Sequence, residues 1–276
     1  MRVITLASQK GGTGKSTLCI GLAVAAIEDD ERVLMLETDR QGTISNWAAR
    51  RASPEPFVER VTDRYQIERA VRALDRRGCT LLIIDTPGSD NDVVADAIRA
   101  ASLCLIPARP SQADIEATHP TLKAIRGLNK EFAFVLNQTP PRGQRPTRVA
   151  LALNEVGVLA LPYIVLRNDH VDALAAGLAV SEFAPHSIAA AEIHALWAWS
   201  KQRLAINSAA KMQAPEHDKA PATQTRPDDA VGIVNNDPLY NVVLQSLRLA
   251  ALPWAPWLQT HRTSAAKHGG DQSRTE

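Results

Sequence analysis

Five short apolar runs punctuate the first half of the chain: Val3 to Ala7, Val33 to Leu36, Leu81 to Ile84, Leu103 to Ile106 and Phe132 to Leu136. Each is nearly continuous rather than alternating, as expected of strands covered on both faces of a parallel sheet. Between and after them lie stretches of helical character: Lys15 to Glu28, Ile67 to Arg76, Val93 to Ala101, Ala113 to Leu128 and Thr147 to Glu155. The alternation predicts a series of βαβ units, hence a three-layer α/β domain with a mostly parallel central sheet flanked by helices. A further strand is predicted over Leu161 to Leu166. A helix from Ile188 to about Ile206 carries Ile193, Leu196, Trp197 and Leu204 on one side, which would dock on the sheet. The domain is expected to span residues 1–207.

Beyond it the pattern dissolves. Residues 208–238 are rich in Pro, Ala, Thr and Asp with few large apolar side chains. Such a segment cannot bury enough surface to offset its ordering entropy and reads as a flexible linker. Residues 239–276 form a tail with a short apolar helical segment. Tyr240, Val243, Leu244 and Leu247 fall at helical spacing, followed by Trp254 and Trp257 around Pro253 and Pro256. Arg248 is the only basic residue between Leu239 and Leu258. That argues against a membrane-surface helix and for packing on the domain or on a protein partner.

Composition narrows the functional classes. The 276 residues carry a formal net charge of +1, so any nucleic-acid contact must come from a local patch rather than from the whole molecule. Cys19, Cys79 and Cys104 are widely spaced, without a Cys-x-x-Cys pair, which fits a reducing compartment rather than a disulfide framework. No apolar run approaches the roughly 18 residues of a membrane span, and the apolar start of the chain is too short for a signal peptide. A cytoplasmic location is the expectation, in association with the nucleoid where DNA is bound.

The chemistry is concentrated where strands end. The first runs into Lys10-Gly11-Gly12-Thr13-Gly14-Lys15-Ser16-Thr17, followed at once by a helix. Glycines let backbone N–H groups curl round a phosphate with no Cβ in the way, and the helix N-terminus adds partial positive charge. Lys15 can reach β- and γ-phosphate oxygens, and the Ser16 hydroxyl can bind Mg²⁺. Leu81 to Ile84 ends in Asp85, then Thr86-Pro87-Gly88. An apolar strand closing on a carboxylate downstream of a phosphate loop is a Walker B strand, which holds Mg²⁺ through water. Asp39, in Glu37-Thr38-Asp39-Arg40-Gln41-Gly42, also sits at the carboxyl end of a strand, where ligands of open α/β sheets bind.

A strict P-loop would place glycine where Gln9 stands. Lys10 before the double glycine instead resembles the deviant Walker A signature, Lys-Gly-Gly-x-Gly-Lys-Ser/Thr, of the ParA/MinD class of ATPases, and the small partition-type ParA proteins are the nearest match. The resemblance runs from the first strand to about Asn207. It implies ATP and Mg²⁺ as ligands, Lys15 and the loop residues Gly11 to Thr17 on the phosphates, and Ser16 and Asp85 on the metal. Lys10 would contact ATP across a homodimer that forms with ATP. Asp39 would position or activate the attacking water, and Asn137 would hydrogen-bond the adenine. Glu37 and Arg40 depart from the family's Asp-x-Asp-Pro-Gln. Ile106-Pro107-Ala108-Arg109-Pro110-Ser111 with Asp114 matches a family segment expected to pack at an interface or switch.

The same resemblance implies a weak ATPase that binds nonspecific DNA and partitions plasmid or chromosome cargo, stimulated by a ParB-type or centromere-binding adaptor. The loop after Asn137 carries Arg142, Arg145 and Arg148 with no acid, and Arg167, Lys201, Arg203 and Lys211 lie near the domain's end. These are candidate contacts for DNA phosphates, without sequence readout. The alternatives are a membrane-associated positioning ATPase of the MinD kind and a positioning ATPase with protein cargo. Electron transfer of the nitrogenase iron-protein kind would need cysteines presented in loops at a dimer axis. Cys104 falls inside a strand and Cys79 just before one. A ligase of the dethiobiotin kind generally lacks a lysine at position 10.

Overall fold

A computed structural model describes residues 1–61, 64–89 and 92–213. Seven strands form one all-parallel sheet: β1 (Arg2–Leu6), β2 (Val33–Glu37), β3 (Phe57–Arg60), β4 (Leu81–Asp85), β5 (Leu103–Ala108), β6 (Phe132–Leu136) and β7 (Leu159–Ala160), in the order β3-β2-β4-β1-β5-β6-β7. The five predicted apolar runs are β1, β2, β4, β5 and β6. Their continuity has a direct cause. On β5, Leu103 and Leu105 face one core cluster, while Cys104 and Ile106 face the other, so alternate residues are all buried, on opposite faces.

Helices α1 (Lys15–Glu28), α2 (Thr43–Ala48), α8 (Asn168–Ala175), α9 (Val180–Phe183) and α10 (Ile188–Gln213) contribute to the core on one face. On the other, the apolar sides of α4 (Asp92–Ala100), α6 (Thr118–Gly127) and α7 (Arg145–Val156) close the second cluster, with α3 (Arg64–Arg76) packed beside α4 and α5 (Gln112–Glu116) leading into α6. Helix α1 is buried continuously from Leu18 to Ala26, between the sheet and α10. Gly21 makes that enclosure feasible: a Cβ there would come within 3.2 Å of Ile193. Ile193, Leu196, Trp197 and Leu204 all join the core, as the spacing predicted. Trp197 Nε1 and Lys201 Nζ both donate to Asp29 Oδ2, at 2.8 and 2.6 Å, pinning α10 to the end of α1.

Six details differ from the sequence reading. Phe57–Arg60 is an edge strand, and α2 and α8 are helices that no apolar pattern announces. The predicted helix Ala113 to Leu128 is divided at Ala117. Regular pairing with β6 falls on Leu159–Ala160, while the predicted strand Leu161 to Leu166 follows the end of β6 irregularly, with Ile164 N on Leu136 O and Leu166 N on Thr139 O, both at 2.9 Å. Helix α10 continues to Gln213 instead of ending near Ile206. The rest of the linker and the tail lie outside the described residues.

Candidate nucleotide site

The carboxyl ends of β1, β4 and β2 define the site, beside the point where the sheet order reverses about β1. Between β1 and α1 the backbone turns through Gly12 (φ 75°) and Gly14 (φ 86°), both in the left-handed region that glycine accepts without penalty. Gly14 is doubly constrained, since a Cβ would lie 2.4 Å from Asn137 Nδ2. Above Gly11 and Gly12 a Cβ would meet nothing within 4 Å, so the loop's outer surface is open. It faces a cleft of about 500 Å³ lined by Gly11, Lys15, Ser16, Asp39, Gln41 and Gly88, among others. Gly88, after β4, approaches the loop closely: a Cβ there would come within 3.3 Å of Gly11 N.

Lys15 is buried and crosses the loop, donating from Nζ to Ser8 O at 3.1 Å and Lys10 O at 3.4 Å. Burial lowers its pKa, and the charges of Asp85 and Asp39 oppose that shift. Ser16 Oγ donates to Asp85 Oδ2 at 2.7 Å, while Asp85 Oδ1 is buried with no nitrogen or oxygen partner among the described residues and the Cys19 thiol lies beside the carboxyl. Burial pushes the Asp85 carboxyl up to about 7, only partly countered by Ser16 and Lys15, with Glu37 and Asp39 adding to the rise. A magnesium ion fits the donor set, held by the Ser16 hydroxyl and, through water, by Asp85. Among the described residues no cluster of three or more His, Cys, Asp or Glu could hold a metal by itself, so such an ion would draw further ligands from phosphate oxygens and water.

Glu37, the unusual first acid, does something else. It accepts from Ile44 N at 2.7 Å, from Ser45 N at 3.1 Å and from Ser45 Oγ, and Arg60 Nε lies 3.8 Å away. Helix α2 begins after Gly42, which has no side chain to cap it, and Glu37 reaches from the strand to satisfy the N–H groups an N-cap would. Asp39 is partly exposed, on the rim of the cleft, with Oδ1 accepting from Gln41 N at 3.0 Å.

Lys10 points to Asp114, with Nζ 3.1 Å from Oδ2. Asp114 also accepts from Arg109 Nε at 3.0 Å and from Ser111 Oγ. Burial works against its ionisation, but the bonds from Ser111, Arg109 and Lys10 outweigh it and hold the carboxyl below its usual range. The Pro-x-Arg-Pro-Ser segment and Asp114 therefore build a dock for Lys10.

Asn137 braces the phosphate loop. Its Nδ2 donates to Thr13 O at 2.7 Å and its Oδ1 accepts from Gln138 N at 2.9 Å, leaving one amide hydrogen uncommitted. Gln138 Nε2 adds a bond to Gly12 O at 3.1 Å. Both residues also line a smaller pocket, of about 100 Å³, that continues from Gly14 and Thr17 towards Ile164, Arg167 and His170.

The basic candidates separate into two groups. Arg142, in the loop, and Arg145 and Arg148, in the first turns of α7, are exposed and form no ion pair with the described residues. Arg167 is held by Glu192 at 2.7 Å, Lys201 by Asp29 and Arg203 by Glu131. The side chain of Lys211 lies outside the described residues.

Residues 4–180 match the family described as the CobQ/CobB/MinD/ParA nucleotide binding domain. The chain belongs to that family. Its ParA/MinD-class character extends to named relatives. It is 27% identical over 186 residues to "Maintenance of carboxysome distribution protein A" of Gloeobacter kilaueensis, covering 66% of this chain and 85% of that one. It is 29% identical over 168 residues to "Protein ParA" of Rhizobium radiobacter, covering 57% and 75%. Among solved structures, the septum site-determining protein MinD complexed with Mg-ADP from Pyrococcus horikoshii superposes with a TM-score of 0.60 at 18% identity, over 75% of this chain and 98% of that one. An ATP complex of a Cyanothece McdA variant gives 0.56 at 17%, over 74% and 96%. These two likenesses establish the ParA/MinD P-loop fold.

Sequence reasoning placed the phosphate loop, Ser16, Asp85 and Asp39 around one cleft, and the structure brings them together there. Not legible in the sequence are Glu37 as the cap of α2, Asp114 as the dock of Lys10, and the pocket wall to which Arg167 and His170 belong, with Glu192 holding Arg167. The only sequence signal for the first was the replacement of the expected Asp by a longer acid.

Proposed function

We propose that this ParA/MinD-class ATPase is an ATP-dependent dimerising switch that binds Mg-ATP, engages nonspecific DNA when closed, and positions plasmid or chromosome cargo until a partner protein stimulates hydrolysis. Magnesium would supply charge neutralisation at the transferring phosphate. Lys15 and the loop N–H groups would bind the phosphates, Asp39 would orient the attacking water, and Asn137 would offer its remaining amide hydrogen to the base. Lys10 would leave Asp114 to meet the partner protomer's phosphates.

The observation that carries DNA engagement is the placement of Arg145 and Arg148. They occupy the first turns of α7, at the positive end of the helix dipole, with no acidic residue in the first turn. Cations there cost stability, so the position favours an external anion. With Arg142 they present a guanidinium set suited to phosphate. The relative named for carboxysome distribution makes protein cargo the second reading. No described helix is long and apolar enough to cross a membrane, and a peripheral membrane mode is the third reading.

The test is binding of Asp39→Ala protein to random duplex DNA, with Mg-ATP and with ADP, across a salt series. Tight binding only with ATP is expected. Three arginines per protomer in a dimer give a log–log salt slope of about −5. ATP-driven dimers without DNA binding would sink the DNA reading and favour protein or membrane cargo.

A further inference from the structure

We propose that His170 is a base-reading residue, its imidazole Nε2 hydrogen-bonding the edge of the purine of a bound nucleoside triphosphate. The proposal rests on the nucleotide reading above. It concerns which base is preferred rather than whether phosphates bind.

The position follows from the topology. Gly14 and Thr17 line both the phosphate cleft and the smaller pocket beyond it. A ligand with its phosphates on the loop can therefore extend its next rigid group into that pocket. The walls suit a flat heteroaromatic ring. Leu18, Ile164 and Leu174 are apolar, and Leu166 and Val171, which also line the pocket, are 62% and 64% exposed. Large apolar side chains left open at a pocket gain from being covered by a ring.

Two polar atoms in the same wall lack partners. His170 Nε2 and Arg167 Nε are both buried without a hydrogen bond among the described residues. Buried polar atoms in folded proteins are nearly always paired, so two orphans among the residues of one small pocket mark a place completed by a polar ligand. Their scaffold is fixed. Glu192, from α10, accepts from Arg167 Nη2 at 2.7 Å and from Val165 N at 3.0 Å, holding the loop that leads into α8. His170 follows in the first turn of α8.

The two orphans differ in kind. Arg167 Nε can only donate. Burial pushes the His170 imidazole below its usual pKa. Glu192 and Asp169 oppose that shift and Arg167 adds to it. A neutral ring beside a fixed donor can supply an acceptor. A donor and an acceptor on residues of one pocket match an adenine edge, where a ring nitrogen accepts and the 6-amino group donates. Inosine inverts the second of these, presenting an oxygen at position 6.

The experiment is equilibrium binding of the full chain with Mg²⁺ to ATP, to ITP and to inorganic tripolyphosphate, comparing wild type with His170→Phe and His170→Gln. Phenylalanine keeps an aromatic ring and removes the nitrogens. It should weaken ATP about tenfold, equivalent to about 1.4 kcal/mol, shrink the preference for ATP over ITP by about the same factor, and leave tripolyphosphate unchanged. Glutamine, which retains an acceptor, should recover part of the ATP affinity. ATP binding by His170→Phe within about twofold of wild type would overturn the proposal. So would a parallel loss of ATP and tripolyphosphate, which would place His170 in the framework rather than at the base. A wild-type chain that binds neither ligand would defeat the nucleotide reading itself, before any variant is compared.

Discussion

Two acidic residues end neighbouring strands of the sheet, Glu37 on β2 and Asp85 on β4, paired in register with each other. Both are buried, at 0% and 1% exposure. Their surroundings are opposite. Glu37 accepts from two backbone N–H groups and a hydroxyl and closes the N-terminus of α2. Asp85 has one oxygen on Ser16 and, among the described residues, no nitrogen or oxygen partner for the other. The pair separates two reasons for burying an acid. One is consumed by the protein's own backbone and shapes the loop that carries Asp39. The other is under-bonded, a costly arrangement that the proposed cation site would relieve.

The largest test of that contrast is Glu37→Ala. It would leave Ile44 N and Ser45 N without partners inside the protein and open a void at the start of α2. Each buried unpaired N–H costs about 1–3 kcal/mol, so a destabilisation of about 4 kcal/mol is expected. At the roughly 2–4 °C per kcal/mol typical of this chain size, the melting temperature should fall by about 8–16 °C. Calorimetry of the metal-free protein checks it. A fall under about 3 °C would mean that α2 does not depend on Glu37.

The comparison also shows what the sequence could reveal. The phosphate loop and the Walker B strand were legible because their chemistry is local: three glycines, Lys15 and Ser16 lie within one turn, and Asp85 ends its own apolar run. The core strands were legible because burial on both faces leaves few polar positions, Thr5 among them, apart from the acids that end β2 and β4. Glu37 capping α2 was not legible, because the cap is supplied from a strand instead of from Gly42. Helix α8 was missed because, among its residues, only Ala173 is fully buried. Edge strand β3 reads Phe-Val-Glu-Arg and is only half covered. Arg167 was grouped with the loop arginines on charge alone, although Glu192, far along the chain, holds it in the pocket wall. Asp114 and Lys10 meet only through the tertiary fold.

A smaller effect should appear on titration. The folded-state pKa of Asp85 is raised to about 7, from an ordinary value of 3.8. The folded protein therefore holds this proton over a range where the unfolded chain has lost it. The sign follows from linkage: the contribution to stability is fully present below about pH 4 and is lost as pH rises through about 7. At about 1.36 kcal/mol per unit the ceiling is about 4 kcal/mol, and relaxation around the buried site should bring the observed loss to about 2 kcal/mol. Denaturant unfolding of the metal-free protein between pH 4 and 8, with Asp85→Asn as the control, measures it. Equal slopes for the two proteins would remove Asp85 as the source.

The smallest change in stability is the one that separates the two acids most sharply. Asp85→Asn retains a carbonyl oxygen for the Ser16 hydroxyl and removes the charge whose other oxygen has no partner. At pH 7.5, where the wild-type carboxyl is largely ionised, the variant should be more stable by about 1 kcal/mol. That gain is smaller than the titration effect because the amide N–H₂ brings its own unmet donors. In Mg-ATP the order should reverse. The wild-type carboxylate then gains a cation through water, while the amide offers no charge, so nucleotide should raise the wild-type melting temperature and leave the variant's nearly unchanged. Matched thermal melts with EDTA and with Mg-ATP read both halves. A variant that loses stability in EDTA, as Glu37→Ala should, would show Asp85 to be a second structural acid and would remove the argument that its bare oxygen marks the metal site.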